Sequence, residues 1–405
     1  MKILMINKYF YPKGGSENYM FALRELLKQK GHQVIDFSMQ DEANLPSMYS
    51  KYFIKNIDFA KRQGLYQKLH QAFHALYSKE AQQKLERLII QEKPKIAHLH
   101  NFNLQLTPAI IFALKKHKIP IVWTMHDYKY ICPNYRLFTQ GKICERCKIY
   151  KYYNCVVYKC VQNSYAYSFL AMLEMYLHKL ILHSYQKIDV FISPSKFLKD
   201  KAEHWQQQAK IKQLYNFIDL AKYQPNQEIG EGLVYFGRLS EEKGLFVLLK
   251  AMKSLKKINL KIIGEGPLAD QIKQYIKDNK LKNVRLLGYK TGRELHTEIR
   301  NARFVILPAL WYENNPLAVL ESFALGVPVI GSDLGGLPEL IKDEKTGFLF
   351  KPGNSQDLKN IIKANYDNIE LLTKMREKTR AWVEANCSAK AHYEQILSIY
   401  KKLVK

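Results

Sequence analysis

The sequence predicts an α/β protein made of two doubly wound domains, each with a parallel sheet that carries helices on both faces. Three observations indicate this class. The chain has 405 residues, more than one hydrophobic core usually holds. Continuous apolar runs of strand length alternate with amphipathic segments of about 10 to 15 residues. A polar stretch with Pro and Gly, residues 213–232, separates two such series, so we expect two domains with a cleft between them.

The first half begins with a predicted strand, KILMINKYF, and a predicted helix, SENYMFALRELLKQKG, whose apolar residues recur at helical spacing. A Lys- and Tyr-rich segment at residues 41–92 then interrupts the alternation. The other predicted strands of this half are HQVIDFSM, KIAHLHNF, IPIVWTMHD and IDVFISPS.

The second half repeats the pattern, and an amphipathic helix, SAKAHYEQILSIYKKL, closes the chain. We therefore expect domains at residues 1–215 and 216–385, and a C-terminal helix at 386–405 that packs back on the first domain. The predicted strands of the second half are LVYFGRL, NLKIIGEGP, NVRLLGYK, RFVILPAL, VPVIGSDL and GFLFKPG.

The composition, with 47% hydrophobic and 25% charged residues, is that of a folded soluble protein. The first residues lack the apolar core and cleavage site of a signal peptide. The longest apolar stretch, residues 169–182, contains Glu174, His178 and Lys179, which argues against a membrane-spanning helix. We expect a cytoplasmic protein.

The formal net charge is +26, from 63 Lys and Arg against 37 Asp and Glu. Nucleic acid, an anionic membrane surface or a polyanionic substrate would each suit this excess. The lysines are scattered along the whole chain, so a Lys-rich proteome is an equally good explanation.

Two carboxylates flank a predicted helix start in the segment WYENNPLAVLES. Pro316 suits a first helical position, Asn314 or Asn315 can cap the helix, and Gly326 can end it. Glu313 then lies before the helix and Glu321 almost two turns into it. Because free N–H groups at a helix start attract anions, the pair would suit a ligand with both phosphates and hydroxyls. A lone Glu321 would more simply be a solvated residue.

Several loops that follow predicted strands carry residues suited to phosphate. Arg238 follows one strand and Lys243 precedes the next helix, so the two cations can hold a diphosphate without a metal. Ligands of open α/β sheets bind beyond the carboxyl ends of strands, where these loops lie. Glycines that allow close backbone approach there are Gly14, Gly15 (ahead of a helix that Ser16 can cap), Gly264, Gly266 and Gly288.

In this combination the sequence resembles the retaining glycosyltransferase family 4, whose GT-B fold has two Rossmann-like domains that face each other across a cleft. The similarity follows the chain order and covers nearly all of it. The matching segments are the Gly14-Gly15 loop, His126 in TMHDY, GRLSEEKG, GEGP, Glu313 and Glu321 with PLAVLES, ALGVPVI and GGLPEL.

The resemblance implies a hexosyl- or other glycosyltransferase that needs no metal for catalysis. The first domain would bind the acceptor and the second the nucleotide sugar. Glu321 resembles the residue that binds the ribose, and Glu313 the one that contacts the donor sugar. Arg238 and Lys243 resemble the pair that neutralises the donor diphosphate, and His126 resembles the histidine that contacts the donor sugar. Other implied donor-binding residues are Gly14, Gly15, Gly266, Asn314, Asn315, Pro316 and Leu317.

The chain departs from the family pattern at two places. The loop after Glu313 has ENNP where the family usually has Gly, which we expect to alter sugar selectivity. The interdomain turn has Asn216-Phe217 in place of the common Asn-Gly, which we expect to alter only hinge packing.

Five of the six cysteines lie in an insertion at about residues 130–165. Four cysteines at such spacings in a cytosolic protein favour a structural zinc site over disulfides. Free thiols in a mobile lid are an equal alternative, and Cys132 can replace one ligand. The expected ligands are Cys144, Cys147, Cys155 and Cys160.

The same insertion combines many Tyr with basic residues, a composition that suits a lipid–water interface. We therefore expect a peripheral protein on the inner face of the plasma membrane, which acts on a polyprenyl-linked or polysaccharide acceptor. The basic residues of the insertion are Lys142, Arg146, Lys148, Lys151 and Lys159.

Three alternatives stay open from the residues. An inactive GT-B scaffold of a polysaccharide-synthesis complex would not need Arg238, Lys243, Glu313 and Glu321 together. A nucleic-acid-binding protein would explain the charge, but no helix-turn-helix, RNA-recognition or zinc-finger His pattern is present, and we expect no nucleic-acid partner. An epimerase or phosphorylase would share the fold, and the latter needs a pyridoxal lysine motif that the sequence lacks.

Overall fold

The computed structural model describes residues 1–56, 65–206, 210–226 and 228–404. They form two compact units. Unit 1 comprises Met1–Leu137, Cys144–Leu214 and Tyr393–Lys405, and unit 2 comprises Phe138–Ile143 and Tyr215–His392.

The strands are β1 (Lys2–Ile6), β2 (Gln33–Phe37), β3 (Ile96–Leu99), β4 (Ile121–Thr124), β5 (Phe138–Thr139), β6 (Lys142–Ile143), β7 (Val190–Ser193), β8 (Ile211–Gln213), β9 (Leu233–Phe236), β10 (Leu260–Ile263), β11 (Val284–Leu286), β12 (Phe304–Leu307), β13 (Val329–Ser332) and β14 (Gly347–Phe350).

The α-helices are α1 (Gly15–Gln29), α2 (Leu65–Leu76), α3 (Lys79–Glu92), α4 (Ala109–Lys116), α5 (Asn154–Val157), α6 (Tyr165–Tyr176), α7 (Lys196–Gln206), α8 (Leu245–Met252), α9 (Ala269–Asp278), α10 (Gly292–Arg300), α11 (Leu317–Ala324), α12 (Leu337–Leu340), α13 (Ser355–Asn365), α14 (Ile369–Cys387) and α15 (Ala389–Leu403).

The main sheet of unit 1 has the order β2-β1-β3-β4-β7-β8, and every pair in it is parallel. The strand order reverses between β1 and β3. In open α/β sheets such a reversal opens a crevice at the carboxyl ends of the strands, where ligands bind. The loops after β1 and β3 are therefore the first place to search for a site in unit 1.

The sheet of unit 2 has the order β11-β10-β9-β12-β13-β14 and is also entirely parallel. Here the reversal lies between β9 and β12. The prediction of two parallel α/β domains is confirmed, and the loops after β9 and β12 become the corresponding place in unit 2.

Two hydrophobic clusters cover the two faces of the unit 2 sheet. Leu233 and Tyr235 of β9 pack in one cluster with α8 and α13, whereas Val234 and Phe236 pack in the other with α11. Successive strand residues point to opposite faces, so a strand buried on both faces must be apolar throughout. This is why β9 appears in the sequence as an unbroken apolar run.

The C-terminal helix α15 contributes side chains to unit 1. The Tyr393 hydroxyl lies 2.8 Å from Nε2 of His32, and the Tyr400 hydroxyl lies 2.6 Å from Nδ1 of His98. Tyr400 is fully buried. The chain thus begins in unit 1, continues into unit 2 and supplies a buried residue to unit 1 at its end.

Candidate functional site

The strongest candidate site lies where β9 and β12 end in unit 2. Lys243 follows β9, and its Nζ lies 2.6 Å from Oε1 of Glu313, which follows β12. The indole N–H of Trp311 donates to the same carboxylate oxygen over 2.8 Å, and Lys243 Nζ lies 5.0 Å from the Trp311 ring centre. Glu313 is only 8% exposed. Two charge-assisted hydrogen bonds therefore hold this buried carboxylate in one orientation.

Glycine backbone packs directly against the Glu313 loop. Gly336 N–H donates to the carbonyl of Glu313 over 2.7 Å. A Cβ at Gly336 would lie 1.8 Å from the carbonyl oxygen of Asn314, so any side chain there would force the two segments apart. The GGLPEL motif therefore shapes the loop that carries Glu313, a role that the sequence motif alone did not reveal.

Gly266, like Gly336, packs too closely against backbone to carry a side chain. Its φ is +158°, and a Cβ would lie 2.4 Å from the carbonyl oxygen of Leu239. Leu239 N–H also donates to the carbonyl of Glu265 over 2.9 Å. The GEGP turn after β10 is thus fastened to the loop that leads from Arg238 to Lys243.

Arg238 itself is exposed and forms no ion pair with the residues that the structure describes. Its carbonyl accepts a hydrogen bond of 2.8 Å from the Tyr235 hydroxyl. The Arg238 backbone is therefore fixed while its guanidinium lies in solvent. The guanidinium can bind an anion without first breaking an ion pair within the protein.

Helix α11 begins one residue later than the sequence suggested. Pro316 is the N-cap, with φ −68° and ψ 126°, and Leu317 is the first helical residue. No side chain caps this helix. Gly326, with φ +73°, follows the helix as expected.

The expected cap residue, Asn315, has another role. Its Oδ1 accepts from the backbone N–H of Asn216 over 3.0 Å, and its carbonyl accepts from the Asn216 side chain over 2.9 Å. Asn315 is 5% exposed. The NNP loop is thus tied to Asn216 within unit 2, a long-range pairing that neither departure from the family pattern revealed on its own.

Glu321 lies on α11, and burial raises its pKa to about 7. Its charge is also felt by Tyr223, whose pKa is raised above its usual value, first by burial and then by this carboxyl group. Near neutral pH the Glu321 carboxyl group is therefore partly protonated, whereas a solvated glutamate would be ionised.

Unit 1 has a polar network at its own reversal, after β1 and β3. Gly14 is the N-cap of α1, and the helix has no side-chain cap because glycine has no side chain. Ser16, which the sequence offered as the cap, lies inside the helix, and its hydroxyl donates to Oε2 of Glu17 over 2.9 Å. Asn101 donates to the Ser16 hydroxyl over 2.9 Å, and Asn7 donates to Oε1 of Glu17 over 3.4 Å. Glu17 is 4% exposed, so the network has a buried carboxylate at its centre.

Asn7, Glu17 and Asn101 were missed in the sequence. The available signal was their position, since Asn7 and Asn101 each come directly after or within two residues of a strand end. Gly15 begins α1, so Gly14 and Gly15 do lie at a helix start.

His126 follows β4 in unit 1 and is partly exposed. Its Nε2 lies 2.9 Å from Nδ1 of His100, which is fully buried after β3. Burial lowers the pKa of His126 to about 3. The imidazole is therefore neutral at physiological pH.

The cysteines of the insertion are all free thiols. A hydrogen bond with Cys160, and then burial, raises the pKa of Cys144, while burial raises that of Cys132 to about 11. The pKa of Cys147 is raised by burial and then by Cys132, Cys160 and Cys144. Among the described residues, no group of three or more His, Cys, Asp or Glu side chains is placed to hold a metal ion.

Cys155 differs from those four thiols. It is fully buried and packs with Cys147, Tyr152 and Met175 in a small hydrophobic cluster. Its backbone N–H donates to the sulfur of Cys147. Cys160 thus contributes to the raised pKa of Cys132, Cys144 and Cys147, whereas Cys155 packs among apolar side chains.

Apolar and aromatic side chains are exposed around the same insertion. Lys159 Nζ lies 4.3 Å from the ring centre of Tyr165, and Arg146 lies 3.9 Å from that of Tyr158. No helix in the described part of the chain is both long and apolar enough to cross a bilayer. The exposed residues of this surface include Ile149, Tyr153, Val157, Tyr165, Tyr167 and Phe169.

Comparisons with known proteins agree with this architecture. Residues 13–222 match the model described as Glycosyltransferase Family 4, and residues 222–382 match Glycosyl transferases group 1. Amylovoran biosynthesis glycosyltransferase AmsK of Erwinia amylovora is 32% identical over 176 residues, which cover 41% of this chain and 43% of AmsK. The match thus spans less than half of that relative.

Two solved structures share the fold along almost the whole chain. Sucrose-phosphate synthase from Thermosynechococcus elongatus is 18% identical, with a TM-score of 0.73 over 99% of this chain and 98% of its own. Anabaena HepE, solved with UDP and glucose, is 17% identical, with a TM-score of 0.66 over 99% of each chain.

Proposed function

Because the chain belongs to glycosyltransferase family 4 and has the GT-B fold, we propose that it is a retaining glycosyltransferase. It moves a hexosyl group from a nucleoside diphosphate sugar to an acceptor in the assembly of a bacterial surface polysaccharide. The name of the AmsK relative supports this pathway class, and the UDP and glucose bound to HepE support a nucleotide-sugar donor.

The observation that carries the proposal is the Lys243–Glu313 pair with its Trp311 partner. A buried ion pair adds little net stability, because desolvation of both charges offsets their attraction. Its value lies in orientation, since Trp311 and Lys243 both bond to Oε1 of Glu313 and leave Oε2 of this carboxylate, at the end of a central strand, to face a ligand. A fixed acceptor of this kind suits the hydroxyls of a sugar, and the lysine beside it suits a phosphate.

The reaction breaks the bond between the anomeric carbon and the diphosphate oxygen and forms a bond to an acceptor hydroxyl oxygen. The acceptor proton leaves with the released diphosphate. Negative charge grows on the leaving group in the transition state, so fixed positive charge accelerates the step. Arg238 and Lys243 supply that charge, together with the free N–H groups at the start of α11. Catalysis then needs no metal, and turnover would persist in EDTA.

The remaining residues receive the roles that the family resemblance implies. Glu321 binds the ribose, His126 contacts the donor sugar, and the backbone of Asn314–Leu317 binds beside Glu313. Glycine backbone at Gly14, Gly15 and Gly266 allows the close approach of the donor.

A donor screen tests this function directly. The thermal midpoint of the purified chain is measured with UDP-, GDP- and dTDP-sugars, because a ligand of the folded state raises its stability. One donor series should raise the midpoint, and Glu313→Gln should weaken the shift while Glu294→Gln, on the exposed side of α10, should not. No shift with any donor, and no sugar transfer from any, would favour an inactive scaffold instead.

We also propose a lipid-linked acceptor, reached at the inner face of the plasma membrane. Support comes from the exposed aromatic surface of residues 149–169, where Lys159 and Arg146 lie against tyrosine rings. Aromatic and basic side chains together anchor proteins at anionic lipid surfaces.

Flotation with vesicles of phosphatidylglycerol and phosphatidylcholine checks this membrane contact. The chain should float with anionic vesicles and be released by salt, and Tyr165→Ser with Phe169→Ser should reduce the bound fraction. Tyr289→Ser is the matched control, since Tyr289 is 67% exposed in unit 2. A gel shift with duplex DNA and RNA at moderate salt should show no binding. Retention of nucleic acid with no vesicle binding would contradict the proposal.

A structural zinc ion in the insertion is a further part of the proposal. Its support is the clustering of five of the six cysteines in this insertion as free thiols, among them Cys144, Cys147 and Cys160 with Cys132 as the fourth ligand. Elemental analysis of protein purified without chelator should give one zinc per chain. Cys132→Ser should lose it and Cys155→Ser should keep it, whereas zinc loss only in Cys155→Ser would restore the ligand set that the sequence suggested.

A further inference from the structure

A column of three histidines lies in unit 1, at the carboxyl ends of β3 and β4. His98 and His100 stack with ring centres 4.5 Å apart, and His100 and His126 stack at 5.2 Å. His98 and His100 are fully buried, while His126 is partly exposed. His126 is therefore the accessible end of a buried column.

The inner end of the column is fixed by hydroxyl groups. His98 Nδ1 lies 2.6 Å from the Tyr400 hydroxyl, and its Nε2 lies 2.7 Å from Oγ1 of Thr124. The indole N–H of Trp123 donates to the backbone carbonyl of His100 over 2.9 Å. The Trp123 bond thus fixes the backbone of His100, and the bonds of His98 fix the ring stacked on it, so the imidazole of His100 is not used.

The ring nitrogens of His100 have one hydrogen-bond partner among the described residues. Its Nδ1 lies 2.9 Å from Nε2 of His126. Its Nε2 is buried and has no hydrogen-bond partner among the described residues. Burial, and then the neighbouring His98 and His126, lower the pKa of His100 well below its usual value, so both rings of the bonded pair are neutral.

Two neutral imidazoles can share this hydrogen bond in two ways. If His126 donates, the proton of His100 must sit on Nε2, which leaves a buried N–H without an acceptor. If His100 donates, its Nε2 is a bare lone pair. Orphaned buried N–H groups are rarer in proteins than under-satisfied acceptors, so the second arrangement is favoured.

We propose that His100 is a positioning residue whose Nδ1–H donates to Nε2 of His126 and thereby fixes the His126 proton on Nδ1. His126 then acts as a neutral hydrogen-bond donor through Nδ1, toward whatever accepts from that atom, and not as a general base through Nε2. The consequence for catalysis rests on the proposed function, in which His126 contacts the donor sugar. The assignment of the proton itself does not.

The proton is located by NMR of protein labelled with ¹⁵N-histidine, which distinguishes protonated from bare ring nitrogens. Wild type should show His126 protonated on Nδ1 and bare on Nε2. His100→Asn keeps a side-chain N–H at the position of Nδ1 and should preserve this pattern. His100→Leu removes the donor and should give a mixture of both tautomers. Protonation of Nε2 in wild type, or an unchanged pattern in His100→Leu, would overturn the proposal.

Kinetics separate positioning from simple folding effects. In His100→Leu the kcat for sugar transfer should fall about tenfold or more, the order that outer partners of an oriented imidazole contribute, and His100→Asn should recover most of it. Tyr400→Phe is the control, since it removes a hydrogen bond at the inner end of the column and should leave both the tautomer and kcat unchanged. Equal loss in all three variants would mark the column as purely structural and refute the positioning role.

The two readouts also separate this inference from the proposed function. If no sugar is transferred from any donor while the NMR pattern follows the expectation, the proton assignment is supported and the transferase assignment fails. If transfer occurs but His126 carries its proton on Nε2, the transferase assignment is supported and the positioning role of His100 fails.

Discussion

The two units have closely related parallel sheets but place opposite chemistry at their strand reversals. In unit 2 the loops after β9 and β12 carry Arg238, Lys243 and Glu313, three formal charges that glycine backbone packs into place. In unit 1 the ends of β3 and β4 carry neutral histidines, and asparagines surround a single buried glutamate. Two related but different strand orders thus carry a charged edge in unit 2 and an edge of histidines and asparagines in unit 1.

This contrast matches the two halves of a sugar transfer. Departure of a diphosphate develops charge, and fixed cations lower the energy of that state. Recognition of sugar hydroxyls needs oriented donors and acceptors, and neutral groups such as the histidines of unit 1 can serve as well as carboxylates. We expect removal of the unit 2 cations to lower mainly kcat, and changes in the histidine column to act through the orientation of His126.

The largest expected effect comes from removing the cations of unit 2. Arg238→Ala and Lys243→Ala should each lower kcat about 100- to 1,000-fold, because each removes fixed positive charge from the developing diphosphate. Steady-state kinetics with the donor found in the screen measure the loss. The controls are Arg285→Ala and Lys250→Ala, exposed cations of the same unit. Unchanged turnover in both site variants, with controls also unchanged, would remove the charged edge from the mechanism.

A smaller effect is expected from the backbone that shapes the Glu313 loop. Gly336→Ala places a Cβ against the carbonyl of Asn314, and such overpacking costs about 1–3 kcal/mol. The thermal midpoint should fall and the donor KM should rise, because Glu313 is displaced from Lys243. Gly288→Ala meets no atom within 4 Å and bears only its left-handed φ of +70°. Equal effects from the two variants would show that the close approach at Gly336 is unimportant.

The smallest predicted effect concerns pH. Glu321 has a pKa raised to about 7 by burial, and ribose hydroxyls donate best to the ionised carboxylate. Lowering the pH from 8 to 6 protonates this group, so the donor KM should rise about tenfold over that range. Glu321→Gln should have a high KM that no longer depends on pH. A pH-dependent KM that survives in Glu321→Gln would assign the titration to another group.

The positions of the strands could be predicted from the sequence because buried parallel strands are apolar on both faces. Every predicted strand run, from KILMINKYF to GFLFKPG, contains a strand of the structure. The first residues of the helices were harder to predict from the sequence. Ser16 and Asn315 are good capping residues by type, but Gly14 is the N-cap of α1, and Asn315 bonds instead with Asn216, a partner that only the folded chain supplies.

The residues of the site also divide into those that the sequence could predict and those that it could not. Glu313 and Lys243 are 70 positions apart in the chain, and only the family resemblance predicted that they belong to one site. Gly336 and His100 act through contacts with residues distant in the chain, Asn314 and His126, which no local spacing encodes.

Because the C-terminal helix returns to unit 1, the order of elements along the chain limits where the gene can be cut to produce the two units separately. A fragment of residues 1–214 would lack Tyr393 and Tyr400, and so would lose the hydroxyl partners of His32 and His98. Separate production of unit 1 therefore calls for α15 as a second, co-expressed piece, or for a permuted gene in which α15 is translated ahead of β1. Chimeras that exchange donor specificity should take Tyr215–His392 as the insert and keep both flanking parts from one parent.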